Sequence, residues 1–122
     1  MLIYLSLPRK LSGLMSKSNF ININFINWEK HINHGLILVD FWAPWCNACK
    51  AQDKIYDEIA QIFPNELRIG KIDVSDNRVL ADKFGVRNIP FLILIKNEEQ
   101  ILQMPGIESK EYLISQIKKN IQ

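Results

Sequence analysis

The sequence predicts an α/β domain whose sheet begins with parallel strands and ends in an antiparallel hairpin. Three runs of mostly apolar residues, at 36–42, 67–74 and 91–95, have the composition of strands in the interior of a sheet. The first two are each followed by a segment with helical spacing, and a βαβα order implies crossovers between parallel strands. A short polar turn joins the third run to residues 101–104, which favours an antiparallel pair.

The N-terminal part of the predicted domain contains a strand, a helix and the central strand. Apolar and polar side chains alternate over residues 20–25, a period-two pattern that is typical of a short strand. Asn27 can cap a helix over residues 28–34, which ends at Gly35. The run at 36–42 is almost entirely apolar and β-branched or aromatic, so we expect it at the centre of the sheet.

Three further helices follow along the chain. The first covers residues 46–63, and its apolar side chains recur at helical spacing: Cys49, Tyr56, Ile59 and Phe63. The second runs to Phe84, with Ser75 or Asp76 as its cap. Ser109 opens the third, which carries a similar apolar stripe: Tyr112, Leu113, Ile117 and Ile121.

Length and charge narrow the class of protein. A chain of 122 residues normally forms one domain with a sufficient core of its own. The net charge of +2 is uneven, because residues 1–19 hold three basic residues and no acid, whereas the remainder holds 12 bases and 13 acids. A nearly neutral domain lacks the basic face that nucleic-acid binding needs. No run approaches the ~18 apolar residues of a membrane span. From the charge and from the lack of such a run, we expect the protein to contact neither nucleic acid nor membrane.

The first 18 residues have the pattern of a tail. Their apolar run is broken at Pro8 and is followed, not preceded, by basic residues, which makes a poor secretion signal. We therefore expect a flexible tail over residues 1–18, a domain over residues 19–122 and a cytoplasmic protein. Met15 is an alternative translation start, since every predicted element follows it.

The pair Cys46 and Cys49 is the strongest chemical signal in the chain. Cys46 lies where a strand gives way to a helix, and the unpaired N–H groups and dipole of a helix start favour the thiolate. Cys46 is therefore the expected nucleophile. Cys49 lies nearly one turn later, where it can reach the Cys46 sulfur and resolve a mixed disulfide. A disulfide this short stabilises a fold little, so stability does not explain the pair.

Two alternatives for the cysteines come from the sequence. The thiols can be small buried apolar residues without redox chemistry. They can also bind zinc together with His31 and His34, although two-Cys two-His sites usually place three to five residues between the histidines. The simpler interpretation of His31 and His34 is that they are exposed histidines on a polar helix face.

Four segments of the chain resemble the thioredoxin family. They are VDFWAPWCNACK at 39–50, KIDV at 71–74, FGVRNIP at 84–90 and PG at 105–106. The resemblance covers about residues 20–122 and needs no large insertion. It implies the thioredoxin fold, in which helices flank both faces of a central mixed sheet. It also implies reduction of protein disulfides by dithiol–disulfide exchange through Cys46 and Cys49.

The resemblance also implies roles for single residues. Asp40 matches a buried carboxylate that takes and returns the proton of Cys49, and Lys71 matches its partner. A carboxyl in an apolar strand is costly to ionise, which fits that role. Pro90 matches a cis-proline that faces the disulfide, and Trp42 flanks the site.

The implied substrate-binding surface surrounds the disulfide. It consists of seven residues, some of them an apolar rim: Trp45, Asn47, Ala48, Ile89, Pro90, Gly106 and Ile107. The resemblance implies no bound cofactor or metal, only the redox-active disulfide, with reducing equivalents from NADPH through a thioredoxin reductase. The expected partners are disulfide-containing proteins and that reductase, and the protein is expected to be a monomer.

The sequence departs from the family pattern at three places. Asn47-Ala48 stands between the cysteines where Gly-Pro is usual, Lys54 replaces a helix-kinking proline, and Glu98 replaces a hairpin glycine. The Ala48 N–H, which proline lacks, predicts a less reducing pair. Two alternative functions therefore stay open: an oxidase- or isomerase-poised variant, and a binding module that keeps the fold but rarely uses its cysteines.

Overall fold

Residues 20–121, the part of the chain that this computed structural model describes, form five strands and four helices. The predicted tail and the alternative start at Met15 lie outside the described residues. In chain order the elements are β1 (Phe20–Asn22), α1 (Trp28–Ile32), β2 (Leu36–Trp42), α2 (Asn47–Ile62), β3 (Leu67–Asp73), α3 (Arg78–Lys83), β4 (Phe91–Lys96), β5 (Glu99–Pro105) and α4 (Lys110–Asn120).

The strands form one mixed sheet in the order β1-β3-β2-β4-β5. β1 and β2 pair with β3 in parallel, whereas β4 pairs antiparallel with β2 and β5 pairs antiparallel with β4. The predicted parallel first half and antiparallel final hairpin are confirmed, and β2 occupies the centre. The register places Asp40 of β2 opposite Lys71 of β3.

Side chains of β2 alternate between two cores, one on each face of the sheet. Leu36 and Leu38 pack with residues of α2 and α4. Ile37, Val39 and Phe41 pack on the other face with residues of α1 and α3. Helices therefore cover both faces, as the family resemblance implies. By the same alternation, Asp40 and Trp42 project toward α2.

Element ends differ from the sequence expectations where side chains bind their own turns. The N-cap of α3 is Asn77, because the N–H and hydroxyl of Ser75 both donate to Asp73 Oδ1 and hold that residue in the preceding turn. Asn27 is the N-cap of α1, but its Oδ1 accepts the Asn24 N–H at 2.8 Å and caps no helix amide. The predicted position of the α1 cap is confirmed, although its side chain bonds elsewhere, whereas the predicted cap at Ser75 or Asp76 is wrong.

The final hairpin turns more tightly than predicted. Only Asn97 and Glu98 separate β4 from β5, and both have positive φ angles, of 49° and 78°. Such angles suit a two-residue turn whose twist matches the strands, although Glu98 adopts them less readily than glycine. Within residues 20–121, no helix is both long enough and apolar enough to cross a bilayer.

Candidate active site

A Cys46–Cys49 disulfide lies at the start of α2, immediately beyond the central strand. β2 ends at Trp42, and the Cys46 N–H donates to the Ala43 carbonyl at 3.1 Å, which closes the turn between strand and helix. Cys46 is the N-cap, with extended backbone, and its sulfur accepts the Cys49 N–H at 3.1 Å. The sequence-predicted cysteine pair is therefore positioned by the end of one buried strand.

The two sulfurs differ in access. Cys46 is partly exposed, whereas Cys49, in the first turn of α2, is 1% exposed. The first turn of α2 holds no acidic residue, so nothing there opposes a thiolate at the helix N-terminus. A substrate can therefore meet the Cys46 sulfur first, and Cys49 can react only with a group already bound there.

The residues of the expected substrate surface include a cis-proline and exposed apolar side chains. The Ile89–Pro90 peptide bond is cis, and the Pro90 carbonyl accepts the Gly106 N–H at 3.0 Å, which brings the two loops together. Trp45 and Ile107 are 69% and 66% exposed. Trp45 and Ile89 also line a groove of about 610 Å³. Asn47 is exposed and Ala48 is half-buried in the first turn of α2.

Asp40 is fully buried. Its Oδ1 accepts the Tyr56 hydroxyl at 3.5 Å, and its Oδ2 lies 3.5 Å from Lys71 Nζ. Burial raises the pKa of Asp40 to about 7, and Lys71 and the Tyr56 hydroxyl only partly oppose that rise. A carboxyl with this pKa can both accept and release a proton near neutral pH.

Lys71 contacts more groups than the sequence indicated. Its Nζ donates to Asp53 Oδ1 and also lies over the Trp42 ring, 4.9 Å from the centroid. Trp42 therefore packs on the cation that Asp40 faces. The Trp42 side chain is half-buried on the α2 side of the sheet.

Sequence reasoning missed three polar residues of α2 that contact Asp40 directly or through one other side chain. Gln52 and Tyr56 are buried, with Gln52 Nε2 donating to the Tyr56 hydroxyl at 3.3 Å. Asp53 binds Lys71. The signal was their spacing: positions 52, 53 and 56 lie three, four and seven residues after Cys49, on one helix face. That face was interpreted only as an apolar stripe.

The zinc alternative does not fit the geometry. His31 and His34 precede β2 whereas the cysteines follow it, so a seven-residue strand, roughly 23 Å long at ~3.3 Å per residue, separates the two pairs. The His31 carbonyl accepts Arg68 Nη1 at 2.7 Å, which fixes this end of α1 on β3. Across residues 20–121, no cluster of three or more potential ligands could hold a metal ion.

Three comparisons place this fold and site among known proteins. The family model described as thioredoxin matches residues 19–119. The thioredoxin of Haemophilus influenzae is 39% identical over 106 residues, covering 85% of this chain and 99% of its own length. The thioredoxin of Bacillus subtilis is 38% identical over 95 residues, covering 78% of this chain and 91% of its own length.

A solved structure agrees in fold. A mutant thioredoxin from Halobacterium salinarum superposes with a TM-score of 0.78 at 24% identity, covering 85% of this chain and 92% of its own. At this identity the likeness concerns the fold alone.

A disulfide that joins a partly exposed cysteine to a buried one supports exchange with other disulfides, and the protein is a thiol-disulfide oxidoreductase. The matches to the family model and to curated relatives make the class specific. The chain belongs to the thioredoxin family. Proteins of this family act on disulfide-containing proteins, are reduced by a reductase and need no bound cofactor.

Proposed function

We propose that Cys46 is the nucleophile and Cys49 the resolving cysteine in the reduction of protein disulfides. The Cys46 thiolate attacks one substrate sulfur, forms a mixed disulfide and releases the other sulfur as a thiolate that takes a proton. Cys49 then loses its proton, attacks the Cys46 sulfur and releases the second substrate thiol. The substrate gains two electrons and two protons, and the Cys46–Cys49 disulfide forms. The observation that carries this proposal is the difference in exposure between the two cysteines.

Asp40 is the proposed acceptor of the Cys49 proton, with Lys71 as its partner. The support is the full burial of Asp40 and its pKa of about 7, which lets the carboxyl change protonation state during turnover. In the reverse direction, when a reductase opens the disulfide, Asp40 returns a proton to Cys49. Trp42 is a positioning residue, because it packs on the Lys71 ammonium.

The proposed substrate surface is the rim around the disulfide. Trp45 and Ile107 offer exposed apolar area, and the groove beside Trp45 and Ile89 can take substrate side chains. Asn47 and Ala48 lie between the cysteines, where an incoming disulfide must approach. Pro90 and Gly106 supply backbone beside an extended substrate segment. An apolar rim with backbone contacts favours unfolded or flexible protein segments over small molecules.

The proposed setting of this activity is a monomer in the cytoplasm, reduced by NADPH through a thioredoxin reductase. The nearly balanced charge of residues 20–122 supports a protein that binds neither nucleic acid nor anionic membranes. The functional unit is the proposed domain over residues 19–122.

The proposal is tested by insulin reduction with NADPH and a thioredoxin reductase, with dithiothreitol replacing both in a parallel assay. Wild-type protein is expected to accelerate reduction in both assays, and Cys46→Ser is expected to fall to the uncatalysed rate. Ser115→Ala, on α4 and far from the cysteines in sequence, is the control and should match the wild type. Inactive wild-type protein in the dithiothreitol assay would instead support a binding module, and an active Cys46→Ser protein would overturn the assignment of the nucleophile.

The Asn47-Ala48 dipeptide is expected to make this pair less reducing than a Gly-Pro thioredoxin. Ala48 has an N–H that proline lacks, and an additional donor near the Cys46 thiolate stabilises the reduced form. The reduction potential should therefore lie above about −270 mV. Equilibration with glutathione measures it, and the matched variant Asn47→Gly/Ala48→Pro should move it downward. A wild-type value at or below that of the double variant contradicts this reasoning.

A further inference from the structure

Two carboxylates share one ammonium on the α2 side of the sheet. Lys71 Nζ donates to Asp53 Oδ1 and lies 3.5 Å from Asp40 Oδ2. The side chain of Asp40 is 0% exposed, that of Lys71 is 13% exposed, and that of Asp53 is 37% exposed. Exposure therefore increases from Asp40 to Lys71 to Asp53, and the ammonium contacts both carboxyl groups.

The two oxygens of Asp40 have different surroundings. Oδ1 accepts the Tyr56 hydroxyl, which in turn accepts Gln52 Nε2 at 3.3 Å, so this side is held by a directed chain of donors. Oδ2 is buried and accepts no hydrogen bond from the residues that the structure describes. Tyr56 therefore binds one oxygen of the carboxyl group, and Lys71 faces the other.

The charge balance of this cluster favours one proton. With both carboxylates ionised and Lys71 protonated, the cluster carries a net charge of −1, and one proton makes it neutral. Asp40 is fully buried whereas Asp53 is partly solvated, so burial disfavours the charged form of Asp40.

The other groups around Asp40 do not change this balance. Tyr56 of α2 is neutral, since burial raises its pKa far above the ordinary value. The remaining elements contribute apolar side chains to this core: Phe20 of β1, Leu92 of β4, Met104 of β5, and Leu113 and Ile117 of α4. Lys71 and Asp53 are thus the charged groups that decide the protonation of Asp40.

We propose that Asp53 is a positioning residue for proton transfer at Asp40, because it shares the Lys71 ammonium and so prevents a one-to-one ion pair that would hold Asp40 permanently ionised. This inference rests on the proposed role of Asp40 as the proton acceptor of Cys49. It assigns Asp53 an effect on the reaction through Lys71 and Asp40, without contact with substrate. Asp53 thereby keeps the buried carboxyl basic enough to take the Cys49 proton near neutral pH.

The test is a titration of the Asp40 carboxyl carbon by NMR in the disulfide-bonded protein, where the cysteines do not titrate. The Asp40 signal is assigned by its loss in Asp40→Asn. In Asp53→Asn the Asp40 midpoint should move to lower pH by roughly one unit, because a like charge is removed and Lys71 is left to Asp40 alone. Asp53→Glu keeps the charge and should restore the midpoint toward the wild-type value.

Asp57→Asn is the matched control, since it removes one negative charge from the next turn of α2 and Asp57 is not among the groups that perturb Asp40. It should leave the Asp40 midpoint unchanged. The inference is overturned if Asp53→Asn and Asp57→Asn give the same midpoint as the wild type, or if Asp53→Glu behaves as Asp53→Asn. A variant that loses its folded spectrum is replaced by Asp53→Ser, for which the same shift is expected.

A second measurement connects the shift to chemistry. In the reduced protein, the rate of the resolving step should rise with pH as Asp40 ionises, and its midpoint in Asp53→Asn should move in the same direction as the carboxyl titration. If Asp53→Asn shifts the midpoint of the Asp40 titration but not the midpoint of the rate profile, the link to the reaction is overturned. The carboxyl titration needs no turnover, so its outcome stands apart from the insulin assay that tests the proposed function.

Discussion

Replacing Asp40 by Asn is expected to make the protein more stable above pH 7 and slower in thiol exchange. The folded protein holds the Asp40 proton up to a pKa of about 7, whereas an unfolded carboxyl releases it near its ordinary pKa of 3.8. Between these two pH values the folded state binds more protons than the unfolded state. The free energy of unfolding therefore falls as pH rises through this window, and the penalty is complete above pH 7.

The size of the effect on the free energy of unfolding follows from the shift in the pKa of Asp40. Each pKa unit corresponds to about 1.4 kcal/mol, and the pKa of Asp40 rises from 3.8 to about 7, so the buried carboxylate costs on the order of 4 kcal/mol at pH 8. Asn removes this cost and still offers an oxygen to the Tyr56 hydroxyl. Lys71 keeps Asp53 as its partner, so the substitution leaves no unpaired buried cation. The resolving step should slow by on the order of 10²-fold, a typical loss when a positioned proton acceptor is removed.

Urea unfolding from pH 4 to 9, together with stopped-flow measurement of the resolving step, checks both effects. The stability curves of the wild type and Asp40→Asn should approach each other near pH 4 and separate with rising pH. Asp57→Asn is the control, because it also removes one carboxylate, from α2, without changing Asp40. A constant difference across the whole range would mean that packing, and not ionisation of Asp40, sets the stability change.

Replacing Cys49 by Ser is expected to trap substrates on Cys46. The Cys46 sulfur is accessible and still forms the mixed disulfide, but the buried position 49 no longer holds a thiol that can release the substrate. With an excess of a disulfide-containing protein, nearly all of the reduced variant should become a one-to-one covalent adduct. Dithiothreitol should reduce the mixed disulfide and release the substrate.

Mass spectrometry without reductant measures this adduct, and a peptide digest locates it on Cys46. The matched variant is Cys46→Ser, which retains only the buried thiol and should form little adduct. Equal yields from the two variants would mean that exposure does not decide which sulfur attacks. Wild-type protein should show only transient adduct, because its own Cys49 resolves it.

Local sequence patterns predicted the fold well because the apolar runs and the turn residues of this chain are clearly separated. The apolar run at 36–42 is the central strand, and the turn at Pro44-Trp45 places Cys46 at the first turn of a helix. Helix caps were predicted less well. At Ser75, hydrogen bonds to Asp73 compete with capping, and sequence spacing does not show which bond forms.

The polar surroundings of Asp40 depend on three-dimensional register, which no local pattern contains. Lys71 lies opposite Asp40 only because β2 and β3 pair in that register. Asp53 reaches Lys71 only because α2 packs over the same face of the sheet. Tyr56 has the spacing of a core residue and is one, but its hydroxyl makes it part of the site as well. A pattern of apolar positions records the first property and omits the second.

The alternation of β2 separates a core that contains buried ionisable groups from a core whose buried side chains are apolar. Asp40 shares its core with α2 and α4, so a substitution there at Leu38 or Tyr56 changes both packing and the medium in which a proton moves. Ile37 and Val39 point into the core under α1 and α3, which holds no buried ionisable side chain among the described residues. That second core can be repacked for thermal stability with the acid–base chemistry left intact, which makes it the natural place to begin engineering this protein.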